Sequence, residues 1–355
     1  MSCKFLIRGG HVFVETFVFE AIDGNQSVDI SVIIPVRRLD DPDLSECLCS
    51  LRNQAFSGNF EILTVEGGNI AQARNEGIRI SNGRYIAFID SDCQAPESWL
   101  STMLFEIKEI NGSGGIGGVG VSRNNKDRFS RSLEIIFRSY LGSLGSASLH
   151  QPNRTKMVNS LSTSNSIYPA DILRNVGGFD ERYILNEDSE LNARITSRGY
   201  KLYLNPKSFV YHKRPKGLSR YSKKFYSWGE SRMRAMLTDK RLADLKIVTI
   251  FFLTMLVAST FPIDITKALI PFYMYLILLF SHGLYYSIQK RDPLLILYLP
   301  TLYSVQHFSY WIGLLRGLFK GKYNDIKDSA LFEVRCERLA RVSEKNRHPE
   351  PCKRY

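Results

Sequence analysis

Strand and helix signals alternate through residues 29–112, and this alternation constrains the fold more than any other feature. Residues 29–35 form a short β-branched run that stops at a proline, which is typical of a buried strand. The pattern continues with a predicted helix over 42–54, a strand over 60–65, a helix over 70–81, a strand over 85–89 and a helix opened by Pro96. This order predicts an α/β domain whose mostly parallel sheet is flanked by helices and joined by right-handed crossovers.

Composition changes near residue 246, where three apolar blocks begin: 247–263, 268–288 and 294–315. A bilayer span needs about 20 mainly apolar residues, so the first two blocks predict a helical membrane hairpin. The third block contains Gln306 and His307, which are costly in lipid, and is expected to re-enter or to lie at the interface. Basic residues flank the blocks on the sides that this topology places in the cytoplasm. Three full spans, or buried helices of a soluble protein, are the alternatives.

The chain is basic, with a formal net charge of +12, and the cations concentrate just before the apolar blocks. Lys and Arg outnumber Asp and Glu by 13 to 3 over residues 201–246, with aromatic residues interleaved. A nucleic-acid surface has such a composition. A juxtamembrane amphipathic segment explains it better, because the apolar blocks follow at once. We therefore expect a membrane partner and no nucleic acid.

Asp90, Ser91 and Asp92 directly follow the apolar strand over 85–89. Ligands of open α/β sheets bind at the carboxyl ends of the strands. Two carboxylates one residue apart repel each other in a cleft unless a cation lies between them, and Mg²⁺ or Mn²⁺ would also carry substrate phosphates. The triplet therefore predicts a divalent metal site, with a solvated turn as the alternative.

Five segments in order resemble the family-2 glycosyltransferases of the GT-A fold, over about residues 29–235. They are residues 31–35, 73–77, 83–92 with Pro96 and Trp99, 177–181 and 187–191. The resemblance implies a Rossmann-like sheet and transfer of a sugar from a nucleoside diphosphate donor. Residues 310–321 are also similar to membrane-attached members that build lipid-linked or cell-surface glycans.

The resemblance also implies roles for single residues around the donor. The implied set is Pro35 and Val36 beside the nucleoside, Glu66 on the base, Arg74 near the nucleotide, Asp90 and Ser91 at the nucleotide sugar, and Asp92 on the metal. Many members have Asp-Asp-Gly-Ser where this chain has Glu66 followed by two glycines. The choice between a UDP-sugar and a GDP-sugar therefore stays open.

Asp188 is the candidate general base. It shares one helix face with Leu191 and Ile195, which should face the protein body and aim the carboxylate at the cleft. Burial there would raise its pKa and suit it to accept a proton from an acceptor hydroxyl. The alternative is an acid that stabilises the helix dipole, a role that explains Glu187 comfortably. With one base and no second nucleophile, the reaction would invert the sugar.

His212 follows an apolar strand that supplies a third metal ligand in some GT-A enzymes. A structural histidine, or one near the acceptor phosphate, is the alternative. Six cysteines without C-x-x-C spacing predict reduced thiols and no structural zinc. No cleavable signal peptide is visible, so the catalytic domain should stay cytoplasmic, attached to the cell membrane.

The predicted organisation is an N-terminal extension (1–28), a GT-A catalytic domain (29–212), a basic juxtamembrane segment (213–246), a membrane region (247–317) and a charged tail (318–355). The predicted activity is inverting transfer from a UDP- or GDP-sugar to a lipid-linked or growing glycan acceptor. A processive polysaccharide synthase is disfavoured because no Gln-x-x-Arg-Trp follows Asp188. An inactive membrane scaffold is disfavoured because Asp90, Asp92 and Asp188 are all present.

Overall fold

The computed structural model describes residues 3–5, 13–19, 27–122, 127–143, 152–250 and 265–323 of the 355-residue chain. Two compact units form: residues 1–123, 146–213 and 323–355 make the first, and residues 124–145 and 214–322 make the second. The domain boundaries predicted above stay a prediction.

The elements alternate between strand and helix through most of the first unit. The strands are β1 Cys3–Phe5, β2 Phe13–Phe19, β3 Ile30–Val36, β4 Phe60–Glu66, β5 Tyr85–Ile89, β6 Cys93–Gln94, β7 Ser113–Val121, β8 Lys156–Val158, β9 Asn165–Pro169 and β10 Lys201–His212. The helices are α1 Pro42–Arg52, α2 Ile70–Ile80, α3 Trp99–Glu109, α4 Arg128–Arg138, α5 Tyr140–Ser143, α6 Ala170–Val176, α7 Glu187–Ser197, α8 Leu218–Thr238, α9 Ile265–Lys290 and α10 Leu295–Lys320.

One sheet runs through the first unit in the order β1-β2-β4-β3-β5-β9-β7-β10-β6, and β8 pairs with β10. Strands β4, β3 and β5 are parallel to their neighbours in this group, as are β7 and β10. The predicted α/β class with helices flanking the sheet is confirmed. The sheet is mixed rather than mostly parallel, because β9 runs antiparallel to both β5 and β7. Strands β1 and β2 extend it from the N-terminal segment, where no strand was predicted.

Alternation along β3 places the core on both faces of the sheet. Ile30, Val32 and Ile34 join the cluster that includes the buried residues of α1 and α3. Ile33 joins the opposite cluster, with α2, α6 and α7. Gly77 of α2 lets that helix approach closely, since a Cβ there would lie 2.6 Å from Ile33 Cγ2. Both faces of this parallel group are therefore covered, as an internal strand of this kind requires.

The glycine-rich segment before residue 121 forms strand β7. All of β7 up to Val119 is buried. A Cβ on Gly118 would lie closer to the Ser208 carbonyl oxygen than any side chain tolerates. Residues 201–212 form one strand, β10, whose register against β7 shifts between Leu204 and Phe209. The backbone approaches most closely next to that irregularity, which only glycine allows.

The second unit is helical, and its polar groups are satisfied inside the protein. The Tyr221 hydroxyl on α8 donates to Gln306 Oε1 on α10 at 2.6 Å, and Gln306 Nε2 donates to the Gly142 carbonyl at 2.6 Å. Gly313 makes the crossing of α8 and α10 close, since a Cβ there would clash with the Tyr226 carbonyl oxygen. The amide that composition marks as costly in lipid is thus buried and hydrogen-bonded.

One described helix is long and apolar enough to cross a membrane. It covers Leu269–Lys290 within α9, with a mean hydropathy of 1.3 and only 11% of its most apolar stretch buried. Exposed side chains include Met274, Ile277 and Ile288. The feature suggests membrane association. Most of the first apolar block lies outside the described residues, so the number of spans stays a prediction.

Two of the described cysteines, Cys47 and Cys93, are free and buried. Cys49, in contrast, is disulfide-bonded. The expectation of reduced thiols throughout the chain is therefore wrong at Cys49.

Candidate active site

The ends of three parallel strands form the floor of the candidate donor site. Pro35 and Val36 end β3 and are buried. Val36 pairs in register with Glu66, the last residue of β4. Asp90 follows the end of β5, on the other side of β3. Burial raises the pKa of Glu66, and a backbone hydrogen bond from Leu39 opposes that rise. The residues expected around the nucleoside therefore share one sheet edge.

Arg74 connects three of the segments singled out in the sequence. Its side chain is 2% exposed, its Nη1 donates to Glu187 Oε1 at 2.5 Å, and its Nη2 donates to Asp90 Oδ1 at 3.0 Å. The guanidinium carbon also lies 5.5 Å from the centre of the Phe179 ring. Helix α2, the end of β5 and the start of α7 are thereby joined by one cation.

The place of Glu187 in the candidate site was not predicted, because its position in the first turn of α7 explains it as a dipole acid. The sequence feature that could have indicated this role is Arg74, on α2. Arg74 lies on the helix side that faces the sheet, and a buried arginine needs an acidic partner. The acid next to the candidate base supplies that partner.

Asn75, adjacent to Arg74, holds the loop that leads into α7. Its Nδ2 donates to the Phe179 carbonyl at 2.9 Å, and its Oδ1 accepts from the Phe179 N–H at 2.7 Å. The loop turns through Gly178 at φ 68°, where a side chain would be strained and would meet Asn75. Two of the family-like segments, 73–77 and 177–181, are therefore in direct contact.

Asp188 is half-buried in the first turn of α7. Burial raises its pKa, the positive charge of Arg74 and hydrogen bonding from Ser189 oppose the rise, and the negative charge of Asp90 adds to it. The backbone N–H of Ser189 donates to Asp188 Oδ1 at 2.6 Å. Asn186 precedes this helix, does not cap it through its side chain and has a left-handed φ of 70°.

Burial likewise raises the pKa of Glu187, against the opposing charge of Arg74. Three carboxylates, on Asp90, Glu187 and Asp188, thus act on one arginine. The cluster carries excess negative charge in a partly dehydrated place. Such a cluster favours a cation or a proton, and strongly perturbed acids in a cleft are typical of active sites.

Asp92 and His212 lie together because β6 and β10 pair antiparallel, with Cys93 opposite His212. His212 Nε2 is 3.3 Å from Asp92 Oδ2, and the Lys213 N–H donates to the Asp92 carbonyl at 3.3 Å. The Asp92 side chain is 39% exposed and the His212 side chain 19%. An oxygen and an imidazole nitrogen at this separation fit a divalent cation.

Cys93 belongs to the same group, which the sequence reasoning did not foresee. Its Sγ and the ligand atoms of Asp92 and His212 all lie within 4.8 Å of one another. The position next to Asp92 was visible in the sequence, but the pairing that brings His212 to it was not. Ser91 stands half-buried between the two acids of the triplet.

Residues 66–177 match the family model of Glycosyl transferase family 2. The dolichyl N-acetyl-alpha-D-glucosaminyl phosphate 3-beta-D-2,3-diacetamido-2,3-dideoxy-beta-D-glucuronosyltransferase of Methanococcus voltae is 25% identical over 271 residues, which cover 74% of this chain and 79% of that protein. Glycosyltransferase AglE of Haloferax volcanii is 26% identical over 208 residues, 49% of this chain and 63% of that protein.

Among solved structures, the mannosyltransferase PcManGT from Pyrobaculum calidifontis, in complex with GDP-Man and Mn²⁺, is 15% identical. The likeness covers 83% of this chain and 88% of that protein, with a TM-score of 0.49. The family match over residues 66–177, the curated relatives and the five ordered segments support a family-2 glycosyltransferase. Enzymes of this family take their sugar from a nucleotide-sugar donor.

Proposed function

We propose that this enzyme transfers a sugar, with inversion, from a UDP- or GDP-sugar to a lipid-linked or growing cell-surface glycan, at the cytoplasmic face of a membrane. The observation that carries the proposal is the cluster of Asp90, Glu187 and Asp188 around the buried Arg74 at the carboxyl edge of the sheet. The raised pKa of the Asp188 carboxylate supports a general base beside the segment that would hold the donor.

On the donor side, Pro35, Val36 and Glu66 would bind the nucleoside, and Asp90 and Ser91 the sugar. Asp92 and His212 would hold Mg²⁺ or Mn²⁺. When bound, this ion would neutralise the diphosphate leaving group. Arg74 keeps Asp90 in place through its 3.0 Å hydrogen bond, so the acid stays at the strand end where the sugar would lie.

On the acceptor side, Asp188 would take the proton of the incoming hydroxyl as its oxygen attacks the anomeric carbon. The carbon–oxygen bond to the diphosphate breaks in the same step, so the configuration inverts. Burial makes Asp188 a stronger base than an ordinary aspartate, and the Ser189 N–H fixes one carboxylate oxygen. Glu187 positions this turn of α7 by binding Arg74.

Two observations support a lipid-linked acceptor at a membrane. The apolar surface of α9 is largely exposed within its own unit, as expected of a helix that contacts lipid. The name of the Methanococcus voltae relative describes transfer to a dolichyl phosphate sugar. The basic residues that flank the apolar blocks favour the cytoplasmic side for the catalytic domain.

The test is a screen of UDP- and GDP-sugars with membrane extract as acceptor, with and without Mn²⁺, followed by the Asp188→Asn variant. We expect turnover to fall by about 10²–10⁴-fold in that variant, the usual contribution of a general base. Asp171→Asn is the matched control, since Asp171 is exposed in the first turn of α6.

Each part of the proposal has its own contradicting result. Unchanged turnover in Asp188→Asn would remove this residue as the base. Retained anomeric configuration in the product, read by proton NMR, would exclude direct displacement. Full activity after exhaustive chelation would exclude the metal.

A further inference from the structure

The group formed by Asp92, Cys93 and His212 contains a sulfur atom where a site for a hard cation needs none. Mg²⁺ takes oxygen ligands, and Mn²⁺ prefers oxygen with imidazole. A set of one carboxylate, one thiol and one imidazole is instead characteristic of Zn²⁺ and ions like it. The chemistry of this group therefore differs from that required by the proposed donor site.

The spacing of the three ligand atoms agrees with a tetrahedral ion of that class. Bond lengths of about 2.0–2.3 Å imply about 3.3 Å between the nitrogen and oxygen ligands and about 3.5 Å between sulfur and oxygen. His212 Nε2 and Asp92 Oδ2 are 3.3 Å apart. Cys93 Sγ and Asp92 Oδ1 are 3.8 Å apart. The imidazole and the sulfur approach different oxygens of the same carboxylate, and each distance lies within about 0.3 Å of its expected value.

The backbone holds the sulfur and the imidazole in this relation. Cys93 and His212 are directly opposite in the antiparallel pair of β6 and β10, so their side chains leave the sheet on the same face. Cys93 is fully buried, whereas Asp92 is 39% exposed and gives an ion a route from solvent. The sulfur is therefore placed by the fold and is not a mobile surface thiol.

We propose that Asp92, Cys93 and His212 form a binding site for a divalent ion of the zinc class, with the Cys93 thiolate as a ligand. The thiol releases its proton to water as the sulfur–metal bond forms. Such ions bind nitrogen and sulfur ligands more tightly than Mn²⁺ does. Because the site shares Asp92 and His212 with the proposed donor-metal site, Zn²⁺ competes with Mg²⁺ or Mn²⁺ there. Only this competition rests on the proposed function; the binding itself does not.

The test is a titration of the purified full-length protein with Co²⁺, a spectroscopic substitute for Zn²⁺, under a reductant that does not bind metals. A cobalt–thiolate bond gives a charge-transfer absorption in the near ultraviolet that carboxylate and imidazole ligands do not give. We expect this band at one equivalent of Co²⁺, its loss on adding Zn²⁺, and its absence in Cys93→Ala. Cys47→Ala is the matched control, because Cys47 is also buried and free, and should keep the band.

The same variants give a quantitative readout. Loss of a supporting group near a metal lowers affinity by about 10–100-fold, so loss of the sulfur ligand should lower Zn²⁺ affinity at least tenfold. Inhibition of Mn²⁺-supported turnover by Zn²⁺ should weaken by the same factor in Cys93→Ala. Absence of the band in the wild-type protein overturns the proposal whether or not the variant folds, and so does a band that survives in a folded Cys93→Ala.

The two proposals fail in different ways. Sugar transfer with Mn²⁺ but no cobalt–thiolate band leaves the proposed function standing and removes the zinc-class site. A Cys93-dependent band with no transfer from any donor leaves the site standing and removes the proposed function.

Discussion

Replacing Arg74 by methionine is the most demanding test of the charge arrangement at the sheet edge. The substitution keeps most of the side-chain length and removes the charge. Glu187, 9% exposed, loses its 2.5 Å partner, and Asp90, 32% exposed, loses its 3.0 Å partner. We therefore expect the first unit to lose stability chiefly through Glu187.

The size of the stability loss depends on how Glu187 responds to the removal of Arg74. Removing one partner of a buried ion pair costs about 3–5 kcal/mol. Without Arg74, the buried Glu187 carboxyl takes up a proton instead of staying charged. The free energy of this protonation is therefore the upper limit of the electrostatic cost of losing Arg74. From its ordinary pKa of 4.5, protonation at pH 7 costs about 3.4 kcal/mol, or 2.5 pKa units at about 1.36 kcal/mol each. A second substitution, Glu187→Gln, removes this protonation cost because glutamine is neutral.

We therefore expect Arg74→Met to lose about 3–5 kcal/mol of unfolding free energy at pH 7, and the double variant with Glu187→Gln to recover about 2–3 kcal/mol of it. The assay is guanidinium unfolding of the detergent-solubilised protein, followed by tryptophan fluorescence. Trp99 is buried in the first unit. Replacing Trp228 and Trp311 by phenylalanine leaves it as the sole reporter, because the chain has three tryptophans.

Arg79→Met is the matched control, because Arg79 lies on the same helix in an exposed ion pair with Glu76. Its unfolding midpoint should stay close to that of the wild-type protein. Equal losses in the Arg74 and Arg79 variants would refute the reasoning. A double variant no more stable than Arg74→Met would also refute it, because the loss would then come from packing and not from an unpaired carboxyl.

Three further outcomes are expected. The base must be ionised, and burial raises the pKa of Asp188. Turnover should therefore fall tenfold per pH unit on the acid side, with a midpoint above the ordinary pKa of 3.8. A midpoint at or below pH 3.8 would contradict the burial argument. Because the pKa of Asp188 is higher in the folded state than in the unfolded state, the protein loses stability as the pH rises through the interval between the two values. The Asp188→Asn variant should therefore have a higher melting temperature than the wild-type protein at pH 7. This gain should vanish below pH 3.8. Gly83→Ala should cost at least about 1–3 kcal/mol, because its Cβ would clash with the Ser31 backbone nitrogen; Gly68→Ala, whose Cβ meets only the movable Gln72 side chain, should cost less.

The elements with strong local signals were predictable to within a residue or two. Strand β5 is observed at the predicted bounds, and α2 ends one residue before its predicted end. The apolar alternation of the strand and the stop signals after the helix are local, so short windows contain them. The positions of Val36, Glu66 and Asp90 at strand ends follow from the same information, because parallel strands end at a common edge.

Pairing between distant segments was not predictable in this way. Strand β9 reads Asn-Ser-Ile-Tyr-Pro, and nothing in that segment says that it inserts antiparallel between β5 and β7. The same limit explains why Cys93 was not connected with His212, and why β2 was not placed beside β4. The local periodicity of a segment predicts whether it forms a helix or a strand. The strand with which it pairs depends instead on the packing of the whole sheet.

Arg74 shows how the two levels of information combine. This residue lies on the buried side of α2 with Gly77 and Ile78, and desolvation makes a buried unpaired arginine too costly to occur. An acid must therefore reach it from a segment that the local pattern cannot name, and the structure supplies Glu187 and Asp90. Because Asp188 is held next to Glu187 on α7, the same ion pair that stabilises the buried arginine also fixes the candidate base near the strand end. Burial raises the pKa values of Glu187 and Asp188, the charges of neighbouring acids add to that rise, and the single cation of Arg74 opposes it.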